Sequence, residues 1–332
     1  MKRILLVVIG FALVVAIAVG GALYVFAHNP LVLPAPGGPF EFSVRPGASL
    51  KSLSHQLADA GLLPDGQSLW LLGRLLQATA IQAGSYRLEK PVTPLELLQK
   101  LNDGDVIPVT VTFVEGITFA EMRRQLEAAK DIKVTLNGVP DAEVLRRIGA
   151  IESHPEGLFF PDTYRFAAGT SDLELLRKSY QAMQRKLADA WAQRDADLPY
   201  GSPYQVLIMA SIIERETGKA GERPLIGSVF ANRLRIPMRL QTDPTVIYGM
   251  GRSFDGNIRK RDLIADTAYN TYTRDGLPPT PIAMPGWASL LAAVKPAQSD
   301  KLYFVAKGDG SHYFSRSLEE HNRAVAKYQL GK

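Results

Sequence analysis

The 332-residue chain contains no cysteine, which excludes a disulfide framework, a thiol nucleophile, a thiolate metal site and a lipid-modified N-terminal cysteine. Histidine is scarce: His28, His55, His154, His312 and His321 are the five present, without His-Glu-x-x-His or comparable metal spacing. No Gly-x-Ser-x-Gly elbow surrounds Ser211 or Ser228, and no phosphate-cradling glycine loop occurs, so acyl and phosphoryl transfer lack a motif. Runs of one charge sign are missing too. The net charge of +5 and pI near 9.2 come from basic residues interleaved with acidic ones, which suits an anionic polymer or a membrane surface but gives no nucleic-acid signature. No metal and no cofactor is expected.

One long apolar run is present. After Met1-Lys2-Arg3, residues Ile4 to Ala27 carry no charge. At about 1.5 Å per residue this is enough to cross a roughly 30 Å hydrocarbon core. The basic residues ahead of it place residues 1–3 in the cytoplasm and everything after His28 on the far side of the membrane. Val25-Phe26-Ala27 resembles a small-residue cleavage site, but the run exceeds the roughly 7 to 15 residues of a signal-peptide core, so residues 4–27 are read as an uncleaved transmembrane helix. The proline and glycine residues in 28–39 then read as a linker lifting the next module off the bilayer. About 300 residues outside the membrane are enough for two domains. The boundary is placed after Asn102-Asp103-Gly104, giving a small module over 40–105 and a larger domain over 106–332, in a mixed α+β class.

In the first module Phe42-Ser43-Val44 reads as a strand, Arg45-Pro46-Gly47 as a turn and Ser49 as the cap of a helix carrying Leu50, Leu53 and Leu57. A second strand covers 83–88, and Thr93 caps a helix over 94–101. Downstream, Val111 to Gly116 followed by Thr118, Met122, Gln125 and Leu126 echoes Gly47, Ser49, Leu53, Gln56 and Leu57, as if one strand-turn-helix unit were used twice. Residues 171–193 form a long amphipathic helix. Ser202-Pro203-Tyr204-Gln205 is a capping box opening a helix that Gly218 ends. Leu225, Ile226, Val229, Phe230 and Leu234 stripe the next helix, and Lys307-Gly308-Asp309-Gly310 links a hairpin before a final helix from Leu318.

The chemistry is placed at Ala210 to Gly218, where a helix that is almost wholly apolar from Val206 to Ile213 ends on Glu214 and Glu216. A carboxyl group in such surroundings, at the negative end of a helix dipole, favours its neutral form and suits general acid catalysis. Glu214 extends the row of Val206, Ala210 and Ile213, while Glu216 extends Met209 and Ile212, so periodicity does not choose between them. The competing reading is that one of them pairs with Arg215, Arg223 or Arg233 and only ends the helix. Tyr248, Tyr269, Asn270, Thr271, Tyr272, Gln241 and Asp243 lie in turn-rich segments where aromatic faces and amides can hold sugar rings. They are the candidate substrate-binding residues, together with Glu216.

Three segments carry a resemblance: Glu156 to Tyr164, Ala210 to Thr217, and Arg239-Leu240-Gln241-Thr242-Asp243-Pro244-Thr245-Val246-Ile247-Tyr248-Gly249. Tyr269-Asn270-Thr271-Tyr272, Gly276 to Ile282, Gly308 to Ser315 and Glu320-His321-Asn322 extend it. The chain resembles the YceG-like endolytic murein transglycosylases, membrane-anchored enzymes of bacterial cell-wall synthesis. The resemblance implies a LysM-like module over Phe42 to Asp105 and a YceG-like catalytic domain after it. It also implies peptidoglycan strands as substrate, peptidoglycan synthases as partners, the cytoplasmic membrane as location, and Glu214 as catalytic acid with Glu216 in support. The implied reaction is a lyase cleavage between N-acetylmuramic acid and N-acetylglucosamine within a strand, leaving a 1,6-anhydromuramyl end. Two rivals remain, a noncatalytic wall-binding scaffold and a hydrolase using Glu214 with Asp243 as second carboxylate.

Overall fold

The computed structural model describes residues 2–34, 38–45 and 47–331. The chain divides into two compact units. One comprises residues 1–110 with the short segments 131–133 and 165–170; the other comprises 111–130, 134–164 and 171–332. The division falls inside a strand a few residues past Asp105.

The first unit opens with α1 (Lys2–His28), whose stretch Ile9–His28 is long and apolar enough to cross a membrane. Then follow β1 (Phe40–Val44), α2 (Leu50–Asp59), α3 (Ser68–Leu75), β2 (Gly84–Leu88) and α4 (Pro94–Asp103). β1 and β2 pair antiparallel with Phe42 opposite Tyr86, and those rings stack at 5.3 Å. Ser49 caps α2, Thr93 and Glu96 close a reciprocal capping box on α4, and Gly104 ends α4 in the left-handed region at φ 69°. The residues after α1 are not a free spacer. Ala27 and Leu31 are buried in this unit's core with Leu53, Leu57 and Tyr86, and Leu31 N–H donates to Val92 O at 2.8 Å. Of the expected linker, residues 35–37 lie outside the described residues, as does Pro46 of the expected turn.

β3 (Val109–Thr112) leads into the second unit, which contains α5 (Phe119–Ala128), α6 (Asp141–Ile148) and most of the helical mass; β4 (Thr163–Phe166), the strand that pairs with β3, is, like β3, divided between the units. Next come α7 (Asp172–Ala192), α8 (Pro203–Glu216), α9 (Arg223–Arg235), α10 (Asp243–Met250), α11 (Lys260–Ile264) and α12 (Trp287–Val294). The hairpin β5 (Tyr303–Ala306) and β6 (His312–Ser315) precedes α13 (Leu318–Tyr328). α8 is the central helix, packed against α7, α9, α10 and α12. Residues 206–213 are all buried, as an apolar run without a wet face requires.

The echo between residues 42–57 and 111–126 is also local structure. Ser49 and Thr118 each cap their helix by accepting from the N–H three residues on. Gly47 and Gly116 share φ 79°. Gln56 Nε2 donates to Ser43 O and Gln125 Nε2 to Thr112 O, which folds each helix back onto its strand.

Candidate active site

Ser202 accepts from Gln205 N–H at 3.3 Å and so opens α8. The reciprocal bond of the expected capping box is displaced by one residue, because Gln205 Oε1 accepts from Gly201 N–H at 2.9 Å. At the other end α8 stops at Glu216, where Thr217 turns to extended backbone at φ −146°. Gly218 does not take the left-handed conformation of a glycine cap. The chain leaves the helix straight, and the two acids sit at its open end.

Glu214 is the acid that the surroundings enclose. Its side chain is 5% exposed. Oε1 accepts from Arg223 Nη2 at 3.0 Å and Oε2 from Gly286 N–H at 2.8 Å. The pairing with Arg223 that the competing reading named is therefore present, yet the helix end is not sealed by it. A cavity of about 350 Å³ opens there, lined by Glu115, Gly116, Glu214, Arg215, Glu216, Thr217, Gly218 and Arg223. Arg223 is held in turn by Ser289, whose Oγ accepts from Nε at 3.1 Å.

Glu115 stands beside this pair. Its loop is tied to residues 284–286 by Gly116 N–H donating to Met284 O at 2.9 Å and Met284 N–H donating to Ile117 O at 2.8 Å. Its Oε2 lies 3.8 Å from Arg223 Nη2, and its side chain is half exposed. One guanidinium thus serves two carboxyl groups. Burial and the neighbouring Glu214 charge raise the Glu115 pKa, against the pull of Arg223. Gly286 allows the approach, since a Cβ there would fall 1.7 Å from Glu115 Oε1.

Glu216 lines a second cavity as well, of about 440 Å³, with Arg233, Gln241, Asp243, Tyr272, His312 and His321 among its walls. Thr242 Oγ1 donates to Glu216 Oε1. Burial pushes the Glu216 carboxyl up to about 7. Gln241 sits at φ 49°, a strained position for a residue other than glycine. Asp243 accepts from Tyr272 OH at 2.6 Å. Asp243 lines Glu216's cavity and not the one around Glu214; the second carboxyl at Glu214 is Glu115.

Asn270 and Thr271 do not reach either cavity. Asn270 is fully buried, donating to the carbonyls of Asp262, Leu263 and Ala265 and accepting from Tyr272 N–H. Thr271 Oγ1 accepts from Thr242 N–H and bonds Thr245 Oγ1. Thr271 holds the Gln241 turn in place, while Asn270 ties residues 262–265 to Tyr272. Asp243 and Tyr248 belong to helix α10 and not to a loop.

Tyr248 and Tyr269 meet edge to face at 4.9 Å in a third cavity, of about 760 Å³. There Tyr248 OH donates to Glu156 Oε2 at 3.1 Å, and Phe119 N–H donates to Glu156 Oε1 at 2.9 Å. Burial pushes Glu156 up to about 7. Arg215 borders this cavity and Glu214's; Glu216 borders Glu214's and the 440 Å³ cavity. The three cavities therefore line up along the end of α8, with Glu214 at the middle one. Glu115, Glu156 and Gly286 are the site residues that sequence reasoning missed. Glu115 and Glu156 stood in segments already singled out, but as a turn and a motif, because their partners are distant in sequence.

The YceG-like family model matches residues 42–327. The chain is 32% identical over 303 residues to a protein of Bacillus subtilis strain 168 named endolytic murein transglycosylase, covering 86% of this chain and 84% of that one. It is 27% identical over 320 residues to a protein of the same name from Streptococcus pneumoniae serotype 2, covering 86% of this chain and 58% of the relative. A crystal structure titled as a putative yceG-like protein from Listeria monocytogenes superposes with a TM-score of 0.55 at 29% identity, covering 86% of this chain and 98% of that one.

Proposed function

The chain belongs to the YceG-like family and is a lytic transglycosylase, a lyase acting on peptidoglycan; from that premise we propose a membrane-anchored, endolytic enzyme in which Glu214 is the acid-base group. It cleaves between N-acetylmuramic acid and N-acetylglucosamine within a nascent strand and leaves 1,6-anhydromuramyl ends, which ends elongation of that strand. α1 supplies the anchor, the catalytic unit faces away from the cytoplasm, the residues from Phe42 to Asp105 act as a LysM-like glycan-binding module, and the partners are peptidoglycan synthases.

The observation that carries this reading is the enclosed Glu214 carboxyl, lining a cavity that shares Glu216 with one neighbouring cavity and Arg215 with another. Glu214 gives its proton to the glycosidic oxygen as the bond from that oxygen to the muramyl C1 breaks. The resulting carboxylate then takes the proton of the muramyl C6 hydroxyl as that oxygen bonds to C1. The acid is restored, no water is consumed, and one carboxyl group acts twice. Proton transfer by a placed acid contributes about 10² to 10⁴ in rate, or roughly 3 to 5 kcal/mol. Positioning of the sugars on either side of C1 supplies the rest. The flanking cavities, with Glu216, Gln241, Asp243 and Tyr272 on one side and Tyr248 and Tyr269 on the other, are the sugar-holding surfaces.

A hydrolase pairing Glu214 with Asp243 is disfavoured by Asp243 lining a different cavity and accepting from Tyr272. The test is Glu214→Gln. The variant is expected to bind glycan strands as the wild type does and to lose cleavage, and full activity in the purified variant would exclude the assignment.

A further inference from the structure

The 760 Å³ cavity has more chemistry than a sugar ring needs. Its volume lies in the roughly 300–1,000 Å³ range of ligand pockets. One side is apolar, built by Ile247, Phe254 and Ile282 with Tyr248; the rim carries Arg124, Arg215 and Arg252. The acids beside them are committed elsewhere. Glu121 accepts from the N–H and hydroxyl of Thr118 at 2.9 and 2.8 Å, and both oxygens of Glu156 accept from Phe119 and Tyr248. The arginines are not so engaged. Among the described residues neither Arg215 nor Arg252 has a carboxylate partner, and Arg124 reaches Glu121 only at 4.0 Å. Arg215 donates to Gly116 O at 3.2 Å, which fixes it between this cavity and Glu214's.

Resting on the cleavage assigned to Glu214, we propose that this cavity receives the carboxylate-bearing peptide branch of the muramyl residue being cut, so that the enzyme reads peptide as well as glycan. A muramyl unit carries its peptide through a lactyl ether at C3, on the same ring as the C1 whose glycosidic bond is cut beside Glu214. The branch must therefore leave the strand next to the catalytic carboxyl, and the neighbouring cavity offers what it needs. Small alkyl side chains find the apolar wall, and carboxylates find arginines whose planar forks bind them through paired N–H bonds. Neutral sugar hydroxyls alone would not call for three cations.

The experiment measures binding to the full-length Glu214→Gln chain in detergent. The probes are uncrosslinked glycan strands with their peptides and the same strands stripped of peptide by an amidase. The peptide-bearing strands are expected to bind at least about tenfold tighter, equivalent to about 1.4 kcal/mol. Arg124→Ala or Arg252→Ala, added to that chain, is expected to cut the preference severalfold. Added salt is expected to cut it too, because exposed charges are screened. Equal binding of the two strands, or a preference that both substitutions leave intact, would overturn the proposal and leave the cavity to a sugar. Wild-type cleavage of the two strands separates the readings: peptide-dependent binding without any cleavage would refute the role of Glu214 and leave the peptide site standing.

Discussion

At the scale of single residues, the site turns on how one guanidinium is divided. Arg223 faces Glu214 at 3.0 Å and Glu115 at 3.8 Å. The other charged groups lining this cavity are Arg215 and Glu216 on α8. Removing the charge of Glu115 leaves Arg223 to Glu214 alone. Glu115→Gln is expected to lower the cleavage rate severalfold with glycan binding unchanged, and a wild-type rate in the purified variant would show that Glu115 has no hold on the proposed site. Glu156 gives a stability prediction. The residue is 4% exposed, and burial raises its pKa from 4.5 to about 7. Below the unfolded value both states carry the proton and the contribution is complete; as pH rises toward 7 the unfolded chain ionises first and stability is lost. About 2.5 units correspond to on the order of 3 kcal/mol. Glu156→Gln should be more stable than wild type at pH 8 in urea titrations, with the gap closing toward pH 4; a constant gap would contradict this account.

At the scale of elements, much was legible because helix caps are local. Ser49, Thr93, Thr118 and Ser171 each bond an N–H three residues along, and the sequence declares them by residue type and spacing. The burial of α8 was equally plain from its unbroken apolar run. What escaped sequence reasoning was contact between segments far apart. Gly286 and Glu115 meet only because the 114–117 loop bonds the 284 loop, and no pattern within either segment records that. The end of α8 was misread for a similar reason, since Thr217 in extended backbone does there what a glycine cap was expected to do. Gly227 shows a packing demand of the same kind: a Cβ on α9 would come within 2.5 Å of Ala292 O on α12. Gly227→Ala is expected to destabilise the chain by about 1 to 3 kcal/mol, read as a lower denaturant midpoint. An unchanged midpoint would mean that α9 and α12 can separate without penalty.

At the scale of the whole chain, the apolar N-terminal helix and the position of its last turn bear on how the enzyme meets its substrate. Ala27 and Leu31 belong to the core of the first unit, so the end of α1 is part of that unit and not a tether to it. The full chain is expected to remain with membranes through alkaline carbonate extraction, and its recovery in the supernatant would remove the anchor from the account. Everything else depends on the reaction proposed at Glu214. The most direct test is mass spectrometry of uncrosslinked glycan strands incubated with the full chain, wild type beside Glu214→Gln. The account predicts 1,6-anhydromuramyl ends from the wild type and intact strands from the variant. Reducing muramic ends from the wild type would contradict it, because water and not the C6 hydroxyl would then be the attacking group.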